Sequence, residues 1–278
     1  IFKLIMKNKI KKYLRTKVLT NEELNFSKNI QSLEIVGFQK MKKFEDADVF
    51  ITGYPKSGNT LLQFSIAFLV YGLRKDAPYS LVNTCVTDVY ANPYFNRLNI
   101  PHYFKSHELP NEQYKKVIYV VRDGRDAVRS YYYMRKNMGE ENICINEMYE
   151  NGGNCSVGTW KDHVKRWIDN PYKADILFIK YEDFITQKEQ EIKRLCQFLH
   201  LERSDAEIQQ VIEASSFENM KLIEQGYSWI NAKNKQNWKR EGSFVREGKS
   251  KNHLKDVVVK DEVLEKFKEI SSEMLDHF

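Results

Sequence analysis

Short apolar runs alternate with stretches of helical periodicity along the middle of this chain. Residues 48–53 (DVFITG) form one such run ending in a glycine, and 117–122 (VIYVVR) and 176–180 (ILFIK) repeat the pattern. Runs of this length bounded by turn residues predict buried strands. Residues 100–106 supply a fourth candidate strand. Between them, apolar positions recur at helical spacing over 60–71, 126–136, 157–168 and 189–199, and a closing helix is predicted over about 261–276. Strands that alternate with helices predict parallel pairing, hence an α/β fold whose central parallel sheet is flanked by helices. No internal repeat, low-complexity tract or linker breaks the pattern, so a single domain over 1–278 is expected. Residues 1–45 read as a peripheral helical N-terminal segment, and 240–256 as a polar, glycine-bearing loop.

Composition narrows the partners. With 278 residues, 42% hydrophobic and 13% aromatic, the chain can bury a substantial core. A net charge of +6 favours anionic ligands only mildly. Lys and Arg are interspersed with acids, unlike the concentrated basic face of a nucleic-acid binder, so no nucleic-acid partner is expected. The densest basic block, residues 7–17, reads as a solvated helix face. The four cysteines form no C-x-x-C pair and no metal spacing with the six histidines. No metal site is expected, and a reduced, cytoplasmic chain fits, with a Cys144–Cys155 bridge left open. No apolar run reaches the roughly 18 residues of a membrane span. The longest, residues 61–73, is interrupted by Gln63 and Ser65. The chain opens on Ile1, so a preceding native stretch is expected.

The first predicted strand feeds a loop, GYPKSGNT, that opens the first predicted helix. The spacing is that of a phosphate-binding P-loop, but Asn59 stands where the pattern G-x-x-x-x-G-K-[ST] wants lysine. Lysine occurs earlier, as Lys56. A strand–loop–helix joint of this kind aims backbone amides at one point beside the positive end of the helix dipole, which selects an anion. Lys56 adds a point charge there, and Ser57, Asn59 and Thr60 add side-chain donors around Gly58. No strong Walker-B carboxylate is visible: VIYVVRD ends in Asp123, directly after Arg122.

Three further constellations carry chemistry. In VVRDGRDAVRSYY, Arg122 stands at a strand end and Ser130 eight residues on. An arginine at that edge of a parallel sheet offers a fork for a second phosphate, although RDGRD alone is also a salt-bridged turn. In FKSHELP, His107 lies at a predicted strand end with Lys105 two residues before it. A histidine there is either structural or a general base. The loop SFVREGKSKNHLKD is either a solvated surface loop or a lid that brings Arg246 onto a phosphate.

Taken in order, these pieces resemble the cytosolic-type sulfotransferase family, over roughly residues 44–265. GYPKSGNT resembles that family's 5′-phosphosulfate loop, and KSH at 105–107 its K-[ST]-H, whose histidine is the catalytic base. Arg122 and Ser130 match the pair that holds the donor's 3′-phosphate, and REG (Arg246, Glu247, Gly248) falls on the family's R-K-G. YED at 181–183 and SSFENM at 215–220 resemble the segments that frame the adenine, which places Tyr181, Ser215 and Phe217 there. GTWKDHVKRW resembles a helix that the family sets near the acceptor.

The resemblance implies a P-loop-like fold and 3′-phosphoadenylyl sulfate (PAPS) as donor. It also implies 3′,5′-adenosine bisphosphate (PAP) as product, with no metal required. It implies catalysis by His107, Lys56 and Lys105, with Ser57 holding Lys56 away until the acceptor arrives. The acceptor is expected to bear a hydroxyl: a small aromatic alcohol, a glycolipid or a saccharide, in a pocket shaped by 79–104 and 135–158. Two departures stand out, Leu61 where a tryptophan often stacks on adenine, and Glu247 in place of lysine. The family's dimerisation motif does not align with KDVVVKDEVLEKF, so a monomer or weak dimer is expected. The rivals are a P-loop nucleotide kinase or nucleotidase, which needs ATP and magnesium, and a non-catalytic nucleotide-binding module.

Overall fold

The computed structural model describes residues 37–98, 100–226 and 259–278. Its centre is a five-stranded, all-parallel sheet. The strands are β2 (Val49–Thr52), β3 (Val86–Asp88), β5 (Tyr103–Lys105), β6 (Lys116–Val121) and β7 (Asp175–Lys180), in the order β3-β5-β2-β6-β7. A separate antiparallel pair joins β1 (Phe38–Lys40) to β4 (Tyr94–Asn96). The parallel strands are apolar runs because both faces are covered.

The pleat sorts their side chains between two cores. Val49, Ile51, Ile118 and Val120 face one, and Phe50, Val117, Tyr119 and Val121 the other. The first core is closed by α1 (Asn59–Tyr71), α7 (Lys188–Leu199) and α8 (Asp205–Ala214), the second by α3 (Gly124–Asn137), α5 (Trp160–Asp169) and α10 (Asp261–Leu275). Shorter helices connect them: α2 (Tyr79–Cys85), α4 (Ile145–Glu150), α6 (Tyr181–Thr186) and α9 (Phe217–Gly226).

Parallel pairing puts the C-terminal ends of all five strands at one sheet edge, and ligands of open α/β sheets bind there. β2, β5, β6 and β7 lead directly into the P-loop, His107, Arg122 and Tyr181.

One expectation needs correction. Of the N-terminal segment expected to be helical and peripheral, residues 37–45 contain β1 and turns, and Met41 is buried. Phe44 packs edge-on against Phe50 and Phe104, with ring centroids 5.0 and 4.9 Å away. Tertiary pairing with β4 sets this strand, and no local periodicity announces it. Residues 1–36, and the loop with Arg246, Glu247 and Gly248, lie outside the described residues. Cys144 and Cys155 are both free thiols.

Candidate active site

A cleft of about 610 Å³ opens at that sheet edge. Lys56, Gly58, Asn59, Thr60, Leu61, Lys105, His107, Arg122, Ser130, Tyr181, Ser215 and Phe217 all line it. Of the expected site residues that the structure describes, only Ser57 is missing from its wall, and it is buried just beneath.

The loop's shape follows from its glycines. A Cβ on Gly53 would stand 2.3 Å from the Val120 carbonyl oxygen, so only glycine lets β2 run this close to β6. Gly58 has φ +113°, and a Cβ there would meet the Tyr181 ring at 2.7 Å. It is the N-cap of α1, and no side chain caps the helix. The first-turn amides are therefore left for an anion.

Asn59 turns its amide inward and donates to the Gly53 and Tyr54 carbonyls, at 3.3 and 3.1 Å, which closes the loop on itself. Ser57 Oγ, in a residue only 1% exposed, has no hydrogen-bond partner among the described residues. Ser57 Oγ therefore makes no hydrogen bond to Lys56 in this structure.

Arg122 sits beneath the loop. Its guanidinium donates to the Lys56 carbonyl at 3.1 Å, lies 3.7 Å from Asp126 and stacks 4.3 Å from the Tyr181 ring centroid. Tyr181 is therefore wedged between Gly58 and Arg122. Asp123, the one Walker-B candidate, is fully engaged. It caps α3 through the Arg125 amide, accepts from the Ser271 hydroxyl at 3.0 Å and pairs with the Arg125 guanidinium. Ser130 is buried on α3, two turns beyond Arg122.

His107 is held on two sides. Its Nδ1 lies 2.9 Å from the Gly53 carbonyl, which can only accept, so Nδ1 carries the proton and Nε2 is left basic. Its own carbonyl accepts from His163 Nε2 at 3.0 Å, and His163 Nδ1 accepts the Tyr119 hydroxyl at 2.9 Å. The next residue is fixed as well, since the Glu108 carbonyl accepts from Trp167 Nε1 at 3.2 Å. Burial, with the Lys105 charge second, pushes the His107 pKa down to about 4, so the imidazole is neutral at physiological pH. Lys105 makes a 2.8 Å ion pair with Asp88, both side chains nearly buried. The Tyr90 ring faces His107 with centroids 6.0 Å apart.

Two expected adenine residues are used differently. Ser215 Oγ donates back to the Val211 carbonyl at 2.6 Å, while the Ser215 carbonyl accepts from Lys188. Phe217, at the start of α9, remains on the cleft wall. Sequence reading missed Asp88 and Lys188. Asp88 belongs to no motif, and its place beside Lys105 is set by strand register alone. Lys188 lines the cleft wall beside Ser215, where burial, opposed by Glu218, lowers its pKa to about 8.

The fold and loop define an α/β protein with a phosphate-binding strand–loop–helix joint at the sheet's C-terminal edge. The family described as Sulfotransferase domain matches residues 46–278, and the chain belongs to that family. Amine sulfotransferase of Oryctolagus cuniculus is 27% identical over 253 residues, covering 84% of this chain and 83% of that protein. Sulfotransferase 2B1 of Mus musculus is 31% identical over 230 residues, covering 75% and 67%. Among solved structures, retinol dehydratase in complex with androsterone and inactive cofactor PAP has the same fold, with TM-score 0.65 at 18% identity, covering 84% of this chain and 82% of that one. Mouse sulfotransferase SULT7A1 complexed with PAP gives TM-score 0.57 at 19% identity, covering 83% and 84%. Among the described residues, no helix is long and apolar enough to cross a membrane.

Proposed function

We propose that this protein transfers a sulfuryl group from PAPS to an acceptor hydroxyl, with His107 as general base. The reading is carried by one juxtaposition: a neutral imidazole with Nδ1 fixed on Gly53 shares a cleft with an uncapped helix start and with Arg122 and Ser130. The loop fits a phosphosulfate because two of its features await an anionic oxygen. Among the described residues the Ser57 hydroxyl is buried without a partner, and no side chain caps the first-turn amides of α1.

The roles follow from position. The amides of 58–60, with Lys56 and Thr60, hold the 5′ side of the donor. Arg122 and Ser130 hold the 3′-phosphate. By resemblance, Arg246, Glu247 and Gly248 cover that phosphate. Phe217 and the exposed edge of Tyr181 take the adenine, with Leu61 beside them. His107 Nε2 removes the acceptor's hydroxyl proton as the oxygen bonds to sulfur. The sulfur–oxygen bond to the 5′-phosphate breaks, and PAP leaves with that bond's electrons. Lys56 and Lys105 neutralise the charge that builds on the leaving oxygen. The resemblance assigns no metal to these steps.

The acceptor end is walled by Tyr90, Tyr131, Met134 and Val157. Aromatic and apolar walls favour a small aromatic alcohol over a saccharide or glycolipid. The resemblance to the cytosolic-type family favours a cytoplasmic location.

Thermal unfolding with added ligand tests the donor. At a hundredfold excess over its Kd, PAP without metal adds about 2.7 kcal/mol. The Tm should then rise by roughly 5–10 °C. A shift only with ADP plus magnesium would give the cleft to a kinase instead. No shift with either ligand would overturn nucleotide binding.

A further inference from the structure

Asp88 ends β3 and Lys105 ends β5, and the two are direct register partners in a parallel pair. Adjacent partners project from the same face of a sheet, so both side chains leave the sheet together at its C-terminal edge. Their charged atoms meet at 2.8 Å, with side-chain exposures of only 13% and 9%. The carboxylate is fixed from its other side too, because Oδ1 accepts the amides of Tyr90 and Ala91 at 2.9 and 3.3 Å. Lys105, His107 and Tyr90 all line the cleft, so the pair stands at the acceptor end beside the base.

The groups facing Lys105 are few. Asp88 approaches from β3, Tyr79 from α2 and His107 from the turn after β5, while Gln63 of α1 donates to the Asn83 side chain and the Val86 carbonyl. Burial disfavours the charge on this lysine, and the Asp88 carboxylate, with Tyr79, more than reverses that tendency. Asp88 itself is held below the usual carboxylate range, because Lys105 outweighs its burial.

We propose that Asp88 is a positioning residue for sulfuryl transfer: its ion pair keeps Lys105 charged and fixed beside His107, where negative charge develops as the donor's bridging bond breaks. The inference rests on the proposed function and adds to it a carboxylate that the motifs do not contain. The Lys105 ammonium needs an anionic neighbour before the donor arrives, and Asp88 supplies one that is anchored to backbone. Without it, no carboxylate offsets the burial of Lys105, and its hold on a charge beside the reacting oxygen weakens.

The test compares wild type with Asp88→Asn, using PAPS and whichever of a phenol, an alkyl alcohol and a saccharide the wild type turns over fastest. In the variant, kcat at pH 8 should fall at least tenfold while PAP affinity stays within threefold. The sign of the pH effect is specific. Burial of Lys105 is no longer offset by a carboxylate in the variant, so Lys105 loses its charge at lower pH than in the wild type. The pH–rate profile gains a descending limb that the wild type should show only at higher pH. Adding Lys105→Arg to the variant should remove the limb, because arginine stays charged without a carboxylate.

Protein labelled with ¹⁵N at lysine Nζ gives a readout that is independent of any acceptor. Wild-type Lys105 should hold its ammonium to higher pH than Lys105 of Asp88→Asn, because only the wild type sets a carboxylate against its burial. Should Asp88→Asn fail to fold, Asp88→Ser carries the same prediction. A Lys105 that titrates alike in wild type and variant, or a folded variant with unchanged kcat and an unshifted profile, overturns the proposal. Loss of PAP binding or transfer in the wild type itself would instead strike the proposed function.

Discussion

Gly58→Ala perturbs the donor loop at its most constrained point. The backbone there has φ +113°, which an L side chain tolerates at a cost of about 1–2 kcal/mol. The new methyl would stand 2.7 Å from Tyr181 Cδ2 and 3.3 Å from Cε2, so the ring must shift. Displacing a packed buried ring costs about 1–3 kcal/mol more. The total is about 2–5 kcal/mol of folding stability. Gly72→Ala is the matched control: φ is +60° and nothing lies within 4 Å of where its methyl would stand, so only the backbone cost of about 1 kcal/mol applies. The change also reaches the site, because the displaced ring is the one stacked under Arg122 at 4.3 Å. Calorimetric titration with PAP should show at least tenfold weaker binding in Gly58→Ala, or about 1.4 kcal/mol. Gly72→Ala should bind as the wild type does. Equal affinities for the two variants would refute the claim that this contact couples the loop to the second-phosphate arginine.

Two further outcomes follow from buried polar groups. His102, His107 and His163 each have a pKa lowered to about 4, chiefly by burial. The unfolded chain therefore binds up to three more protons between pH 6.5 and 4, and stability is lost as pH falls through that window. From pH 6.5 to 5.5 the loss should be about 3 kcal/mol, read as a urea midpoint lower by roughly 1 M; an unchanged midpoint would contradict the burial of these rings as neutral groups. Ser271→Ala removes a fully buried hydroxyl that accepts the Gly124 amide and donates to Asp123, both at 3.0 Å. It should cost about 1–3 kcal/mol and lower the Tm by roughly 3–10 °C.

Much of this arrangement was legible in the sequence because parallel strands buried on both faces are unbroken apolar runs. The strands at 48–53, 117–122 and 176–180 fall within two residues of those observed, and the helix over 60–71 differs by one residue at its start. What stayed hidden was short or fixed by distant contacts. β3 spans only Val86–Asp88, too few positions for an alternation to register. β1 exists because β4 pairs with it. One helix could have been found: α8 opens with a capping box in which Ser204 and Glu207 bond reciprocally, and S-x-x-E before an apolar run is a recognisable start.

The site divides in the same way. Loop spacing and strand ends located Lys56, His107 and Arg122. Spacing carries no information on orientation, so it could not foresee that Asn59 and Ser215 turn their side chains back onto backbone carbonyls. Nor could it foresee Asp88, which meets Lys105 only through the register of two strands.

The central claim is that His107 takes the acceptor's proton. It is tested most directly by chromatographic measurement of PAP released from PAPS, wild type against His107→Ala, with phenols, alkyl alcohols and saccharides as acceptors. The account predicts that the wild type releases PAP and sulfated product in equal amounts with at least one of these classes. His107→Ala should be slower by about 10²-fold or more, while its calorimetric affinity for PAP is unchanged. Turnover in His107→Ala close to the wild-type rate would contradict the account.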